Sequence, residues 1–346
     1  MKIWYNKKDK KSCMLITDRT TRRYFSGFDV DEGVMLIGDK NFYLTDARSF
    51  YAVKNKLENT DIIAVEYKGI DTIGEILKTQ KIKTLYLDYE KTTIAQLVQY
   101  KTFKLKIKDC SNKIKTLRSI KTDVELDKIK SACNIVEQAF YKTIKELKKG
   151  VTENQVADFI KNAMLEVGAE DISFDTIVAF GKNSAVPHHQ TGDTKLEDNQ
   201  VVLIDVGCKV DGYCSDLTRT VFFGTPSEDF KKNYRAVLTA NLEAIKNITD
   251  NTLTCDADAI ARNYLKEQGL DKFFTHSLGH GLGLDIHEFP SLSYRTKDTL
   301  KNNMAFTIEP GVYLDGEYGI RIEDTVVLKD GKVYRLFTDD KELIIL

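Results

Sequence analysis

Apolar positions in the first hundred residues fall into short blocks of two kinds. Val34–Ile37, Phe42–Leu44, Ile62–Val65 and Leu85–Leu87 read as strands, and Ala47–Leu57 and Ile70–Lys78 beside them read as helices. That alternation predicts an α/β domain. The pattern then changes. Thr122-Asp-Val-Glu125 is a capping box, in which hydroxyl and carboxylate satisfy the free amides of a first helical turn. It opens a long amphipathic helix with Leu126, Ile129, Cys133, Val136, Phe140, Ile144 and Leu147 on one face, closed by Gly150. Thr152–Glu166 predicts a second helix, with Gly168 just beyond its end.

From there the chain repeats itself. Val201-Val-Leu-Ile-Asp205-Val-Gly207 is an apolar run that delivers a carboxylate and then a glycine, and Ala305-Phe-Thr-Ile-Glu309-Pro-Gly311 does the same 104 positions later. Asp211-Gly212 and Asp315-Gly316 share the offset, and the helical segments Glu228–Ile248 and Asp256–Gln268 echo the earlier pair. Asp-Gly is a common turn dipeptide and means little alone. The shared offset of carboxylate, glycine and turn predicts two pseudo-symmetric halves, whose junction is a natural ligand cleft.

Composition narrows the function classes. The chain has 346 residues, 42% hydrophobic and 30% charged, as expected of a globular protein with two domains. Lys+Arg number 51 against 52 Asp+Glu, so the net charge of -1 argues against nucleic-acid or membrane-surface binding. The basic start (Lys2, Lys7, Lys8, Lys10, Lys11) leads only into Cys13–Ile16, too short for the apolar core of a signal peptide, and no run approaches a membrane span. A cytoplasmic protein is expected. The six cysteines (13, 110, 133, 208, 214, 255) lack C-x-x-C spacing and read as reduced, mostly buried thiols.

All five histidines lie between positions 188 and 287: His188, His189, His276, His280 and His287. The last three stand in a glycine-dense segment, where backbone can approach a ligand closely. Acids complete the pattern. Asp205 and Glu309 end apolar runs, Asp216 lies in Tyr213-Cys-Ser-Asp216-Leu-Thr, and Glu323 alternates with Arg321 on one face of a predicted strand over 319–326. Any one of these carboxylates alone reads as solvated or salt-bridged. Four at the ends of buried strands, with a histidine in a glycine loop, need a shared counter-charge, and two divalent cations are the simplest source. The donor set is hard and favours Mn²⁺, Co²⁺, Fe²⁺ or Zn²⁺ over a thiolate site.

On these residues the chain resembles the pita-bread metallopeptidases, the family of methionine aminopeptidase, prolidase and aminopeptidase P. The family's five-ligand signature falls on Asp205, Asp216, His280, Glu309 and Glu323, in the contexts Asp-Val-Gly, Asp-Leu-Thr, Gly-His-Gly, Ile-Glu-Pro-Gly and Arg-Ile-Glu-Asp. His188, His276 and His287 fit its proline-specific branch. Residues 1–118, with Leu44-Thr-Asp-Ala-Arg48 as the best local match, resemble the creatinase-type N-terminal domain, and 119–346 the pita-bread domain.

The resemblance implies a homodimeric, two-metal Xaa-Pro aminopeptidase acting on proline-containing peptides, manganese being the first choice of ion. Xaa-Pro dipeptidase is the alternative. It further implies that Asp216 and Glu323 bridge the ions, that Asp205 binds one, and that His280 and Glu309 bind the other. Glu309 is the candidate base, His188 and His287 would contact substrate, and His276 would support or relay protons. Arg321 would hold a ligating carboxylate, Tyr313 either lines the pocket or packs in the core, and His189 has no role. Creatinase, methionine aminopeptidase and a non-catalytic peptide-binding relative are the competing readings, and the complete ligand set argues against the first and the last.

Overall fold

A computed structural model of the chain describes residues 10–346, so Lys2, Lys7 and Lys8 of the basic start lie outside the described residues. In chain order the first elements are β1 (Ser12–Ile16), α1 (Arg19–Ser26), β2 (Val34–Ile37), β3 (Asn41–Thr45), α2 (Ala47–Lys56) and β4 (Ile62–Glu66). They are followed by α3 (Ile70–Thr79), β5 (Thr84–Leu87), α4 (Ile94–Lys101), β6 (Lys106–Asp109) and α5 (Ser111–Ser119). The strands form one mixed sheet of order β4-β3-β2-β1-β5-β6. β1 runs parallel to β5 and antiparallel to β2.

Side chains alternate across this sheet into two cores. Met14, Ile16, Met35, Ile37 and Tyr43 pack with Phe25 and Val53, while Cys13, Leu15, Leu36 and Leu44 pack with Ile73 and Leu77. Burial on both faces explains why these strands read as unbroken apolar runs.

The described residues divide into two compact units, the first ending at Arg118 and the second running over Ser119–Leu346. The second begins with α6 (Asp123–Thr143), whose Thr122 cap and Glu125 close the expected box. The helix ends seven residues short of Gly150. The Thr143 hydroxyl bonds back to the Ala139 carbonyl at 2.7 Å, and a tight 3₁₀ turn over Ile144–Glu146 follows. Gly150 lies beyond that turn, at φ 87°, and donates to the Leu196 carbonyl.

Then come α7 (Glu153–Glu166), β7 (Asp171–Ile172), β8 (Ile177–Phe180), β9 (Gln200–Val206), β10 (Cys208–Val210), β11 (Tyr213–Cys214) and β12 (Leu217–Phe223). The second half supplies α8 (Glu228–Asn247), α9 (Thr254–Glu267), β13 (Gly279–Gly281), β14 (Glu288–Leu292), β15 (Ala305–Ile308), β16 (Gly311–Leu314), β17 (Tyr318–Arg321), β18 (Asp324–Lys329) and β19 (Lys332–Arg335).

Each half is therefore two helices followed by a sheet and a short hairpin. The sheets run β12-β9-β8 and β14-β13-β15-β18-β19, and the hairpins are β10–β11, extended by β7 on the far side of β10, and β16–β17. Asp211 (φ 48°) and Gly212 (φ 77°) make a two-residue turn of the kind that matches strand twist. In the second hairpin Leu314 pairs with Tyr318, so one extra residue enters the turn and only Gly316 takes a left-handed φ.

The single strand expected over 319–326 is two. Ile322 and Glu323 stand between β17 and β18, where Glu323 N–H donates to the Thr218 carbonyl of β12 at 3.1 Å. That bond carries the chain from one sheet to the next. No helix among the described residues is long and apolar enough to cross a membrane. All six cysteines are free; five are buried and Cys255 is partly exposed.

Candidate active site

Five strand ends converge on a pocket of about 410 Å³ within the second unit. Asp205 comes from β9, Asp216 from the link between β11 and β12, and His280 from β13. Glu309 follows β15 directly, and Glu323 occupies the break before β18. His280 Nδ1 lies 3.1 Å from the Gly281 carbonyl, which fixes the ring and leaves Nε2 facing the acids. Nε2 is 3.5 Å from Asp216 Oδ2 and 3.5 Å from Glu309 Oε1.

Hydroxyl groups and one guanidinium aim the carboxylates. Thr218 donates to Glu323 Oε2 at 2.6 Å and accepts from Arg321 Nε at 3.0 Å. In the other half Thr307 donates to Glu309 Oε1 at 3.0 Å and accepts from the His280 N–H at 3.0 Å. Arg321 Nη2 grips Asp205 Oδ2 at 2.5 Å, and its Nη1 donates to the Tyr313 hydroxyl at 2.8 Å. That hydroxyl lies 2.8 Å from His276 Nε2, while His276 Nδ1 lies 2.8 Å from the Ser277 carbonyl. An unbroken polar chain thus runs from Asp205 through Arg321 and Tyr313 to His276, and Tyr313 lines the pocket.

Burial dominates the electrostatics of the pocket. It pushes Asp216 and Glu323 well above the usual carboxylate range, and the neighbouring acids add to the shift. Asp205 is also raised, by burial and against the pull of Arg321. Burial works against the Arg321 charge, but Tyr313 and the surrounding carboxylates hold the guanidinium above its ordinary value. Burial lowers His276 and His287, favouring neutral rings, and lifts Tyr313 to about 12. His188 and His287 line the pocket, with the His287 ring edge-on to His280 at 4.3 Å between centroids. His189 turns the other way and meets Glu153.

The donor set fits divalent cations. Asp205 Oδ1 and Asp216 Oδ1 are buried with no hydrogen-bond partner, a costly state for carboxylates that a cation would relieve. Asp216, His280 and Glu323 offer donor atoms within 4.8 Å of one another. Oxygen donors with one imidazole match first-row divalent ions.

Every candidate residue named from the sequence lies at this pocket, but the sequence reading missed those that aim them. Thr218 and Thr307 each lie two residues from an acid, in Asp216-Leu-Thr218 and Thr307-Ile-Glu309. In extended chain that spacing puts hydroxyl and carboxylate on one face, which is a readable signal. Glu153 gives none, because its partners lie in a distant loop and two of them are backbone N–H groups.

Known proteins resemble the chain over nearly its whole length. A family model described as metallopeptidase family M24 matches residues 127–330, and one described as the creatinase/prolidase N-terminal domain matches 6–120. The Xaa-Pro dipeptidase of Pyrococcus furiosus is 36% identical over 326 residues, covering 93% of this chain and 92% of that one. The structure of an X-Pro aminopeptidase from Thermotoga maritima superposes with a TM-score of 0.90 at 35% identity, over 97% of both chains. The Xaa-Pro dipeptidase of Bacillus anthracis gives 0.93 at 34% identity, over 96% of this chain and 95% of that one. The chain belongs to metallopeptidase family M24, with the pita-bread fold preceded by a creatinase-type N-terminal domain.

Proposed function

We propose that this metallopeptidase is an Xaa-Pro dipeptidase that hydrolyses the bond before a C-terminal proline. The observation that carries the hydrolase reading is the convergence of Asp205, Asp216, His280, Glu309 and Glu323, two of whose buried oxygens are unpartnered. Similarity to the Pyrococcus and Bacillus dipeptidases favours this reading over the aminopeptidase that the sequence put first. Likeness to the Thermotoga aminopeptidase supports that second reading.

Bound divalent ions, manganese by preference, would polarise the scissile carbonyl and lower the pKa of an attacking water. The chain's own groups do the rest. Asp205, Asp216, His280, Glu309 and Glu323 would hold the ions. Thr307 keeps Glu309 Oε1 turned toward His280, where it can accept the water's proton as oxygen adds to the carbonyl carbon. The prolyl nitrogen carries no hydrogen of its own, so the same proton passes to it as the C–N bond breaks. His188 and His287 donate to the developing oxyanion or to the substrate carboxylate. His276 holds Tyr313, and through it Arg321, in register with Asp205. Residues 1–118 and 119–346 are taken as the two domains, the second holding the chemistry, in a cytoplasmic homodimer.

The test compares Xaa-Pro with Xaa-Pro-Yaa peptides in metal-defined buffer. Dipeptides are expected to turn over faster, chelation to abolish turnover, and Mn²⁺ or Co²⁺ to restore it. Asp216→Ala and Glu309→Ala are expected to lose it. Full activity in either variant removes the hydrolase assignment, and faster cleavage of tripeptides moves it to the aminopeptidase.

A further inference from the structure

The loop that carries His188 is held from behind by a buried acid. Glu153 is the first residue of α7, and its side chain is 0% exposed. The helix does not use it for capping, since Thr152 and Gln155 form the capping box themselves. The carboxylate instead gathers groups from the neighbouring loop. Oε1 accepts from the Phe180 N–H at 2.9 Å and from Asn183 Nδ2 at 2.8 Å. Oε2 accepts from the Gly192 N–H at 3.1 Å and lies 2.9 Å from His189 Nε2. Phe180 ends β8 and Gly192 lies four residues past His188 in the same β8–β9 connection, so one side chain ties the chain on both sides of His188 and the ring next to it.

A carboxylate in such a place is costly unless each lone pair is used, and here four donors use them. Packing alone would be served as well by an apolar residue. What the acid adds is orientation. His188 faces the pocket while His189 faces Glu153, so fixing the His189 ring fixes the backbone from which His188 projects. The second half has a parallel. Asp258, on α9 and fully buried, accepts from the Leu278 N–H at 3.0 Å and binds Arg262 at 2.7 Å and 3.0 Å. Arg262 in turn donates to the Phe274 and His276 carbonyls. In each half the second helix puts a buried acid behind a histidine-bearing segment.

We infer that Glu153, acting through His189, is a positioning residue for His188. This rests on the reading of His188 as a substrate-contacting group.

The experiment is a double-mutant cycle on the metal-loaded full chain, with an Xaa-Pro dipeptide as substrate. Glu153→Gln keeps size but turns donors toward the Gly192 N–H and His189. It is expected to lower kcat/KM by about 10- to 100-fold, the order that a small misplacement costs. Its Mn²⁺ affinity, measured by titration calorimetry, is expected to match that of the wild type. In a His188→Ala background the same change is expected to cost no more than about twofold, because the group it serves is gone.

Additive losses, unchanged kinetics in Glu153→Gln, or a fall in Mn²⁺ affinity that matches the activity loss would overturn the inference. Should Glu153→Gln fail to fold, His189→Asn with His188→Ala runs the same cycle with Glu153 in place. A wild type inactive on Xaa-Pro peptides overturns the functional reading and this inference with it. An active wild type with additive losses overturns this inference alone.

Discussion

Thr218 shows how much of the site depends on groups that would never be candidates for chemistry. It is fully buried, and its one hydroxyl serves both Glu323 and Arg321. Valine has nearly the same shape but neither donates nor accepts. Thr218→Val should therefore leave the fold intact while removing one partner each from Glu323 and Arg321. Metal affinity, and with it kcat/KM, is expected to fall about 10- to 100-fold, the usual cost of removing a partner that orients a ligand. A variant that binds Mn²⁺ like the wild type would show that Glu323 is held by the backbone break alone. Arg321 acts over a longer span of chain, since its guanidinium joins Asp205 to Tyr313, two residues that the sequence places 108 positions apart.

β13 is only three residues long, Gly279–Gly281, and its glycines are set by space rather than by turn geometry. A Cβ on Gly279 would sit 2.1 Å from the Thr307 carbonyl oxygen, and one on Gly281 2.4 Å from that of Phe289. Gly168, by contrast, has φ +108° and nothing within 4 Å. Urea denaturation should separate the two cases. Gly168→Ala is expected to cost about 1–2 kcal/mol from backbone strain. Gly279→Ala should cost about 3 kcal/mol or more, since backbone on the neighbouring strand must move. It should also release His280, so equal midpoints for the two variants would contradict the close approach of these strands.

Elements are legible where local pattern and tertiary role coincide. The Thr122 box, the helix from Glu153 and the apolar runs of β2, β9 and β15 all stand out for that reason. β1 does not. Its run reads from the sequence only as a leader segment that is too short, although it lies in the middle of a six-stranded sheet. The break at Ile322–Glu323 is equally hidden, because alternation continues through it and the bonds that divert the chain, to Thr218 and from Asn241 among them, are long-range.

At the scale of the whole chain, the C-terminal stretch has almost no regular structure yet is firmly held. Asp339 binds Arg219 through two 2.7–2.8 Å contacts and also meets Arg335, while Lys341 reaches Asp324 and Asn241. Burial works against the Asp339 charge, but Arg219 and Arg335 hold it below the usual carboxylate range. A carboxyl with a depressed folded pKa contributes stability above its unfolded value of about 3.9, and loses that contribution as pH falls through the folded value. Asp339→Asn should thus destabilise the protein by about 1–3 kcal/mol at pH 7, with the gap to wild type closing below about pH 4. A gap that is constant with pH would mean that Asp339 acts through packing and not through charge.

The five candidate ligands are divided between the two halves of the repeat, with Asp205 and Asp216 before α8 and His280, Glu309 and Glu323 after it. On the proposed ligand set, a chain still on the ribosome would have no place to keep a metal until Glu323 has emerged. Catalytic competence would then be among the last properties that synthesis confers, and a prematurely terminated product would be inert, however well its earlier part folded.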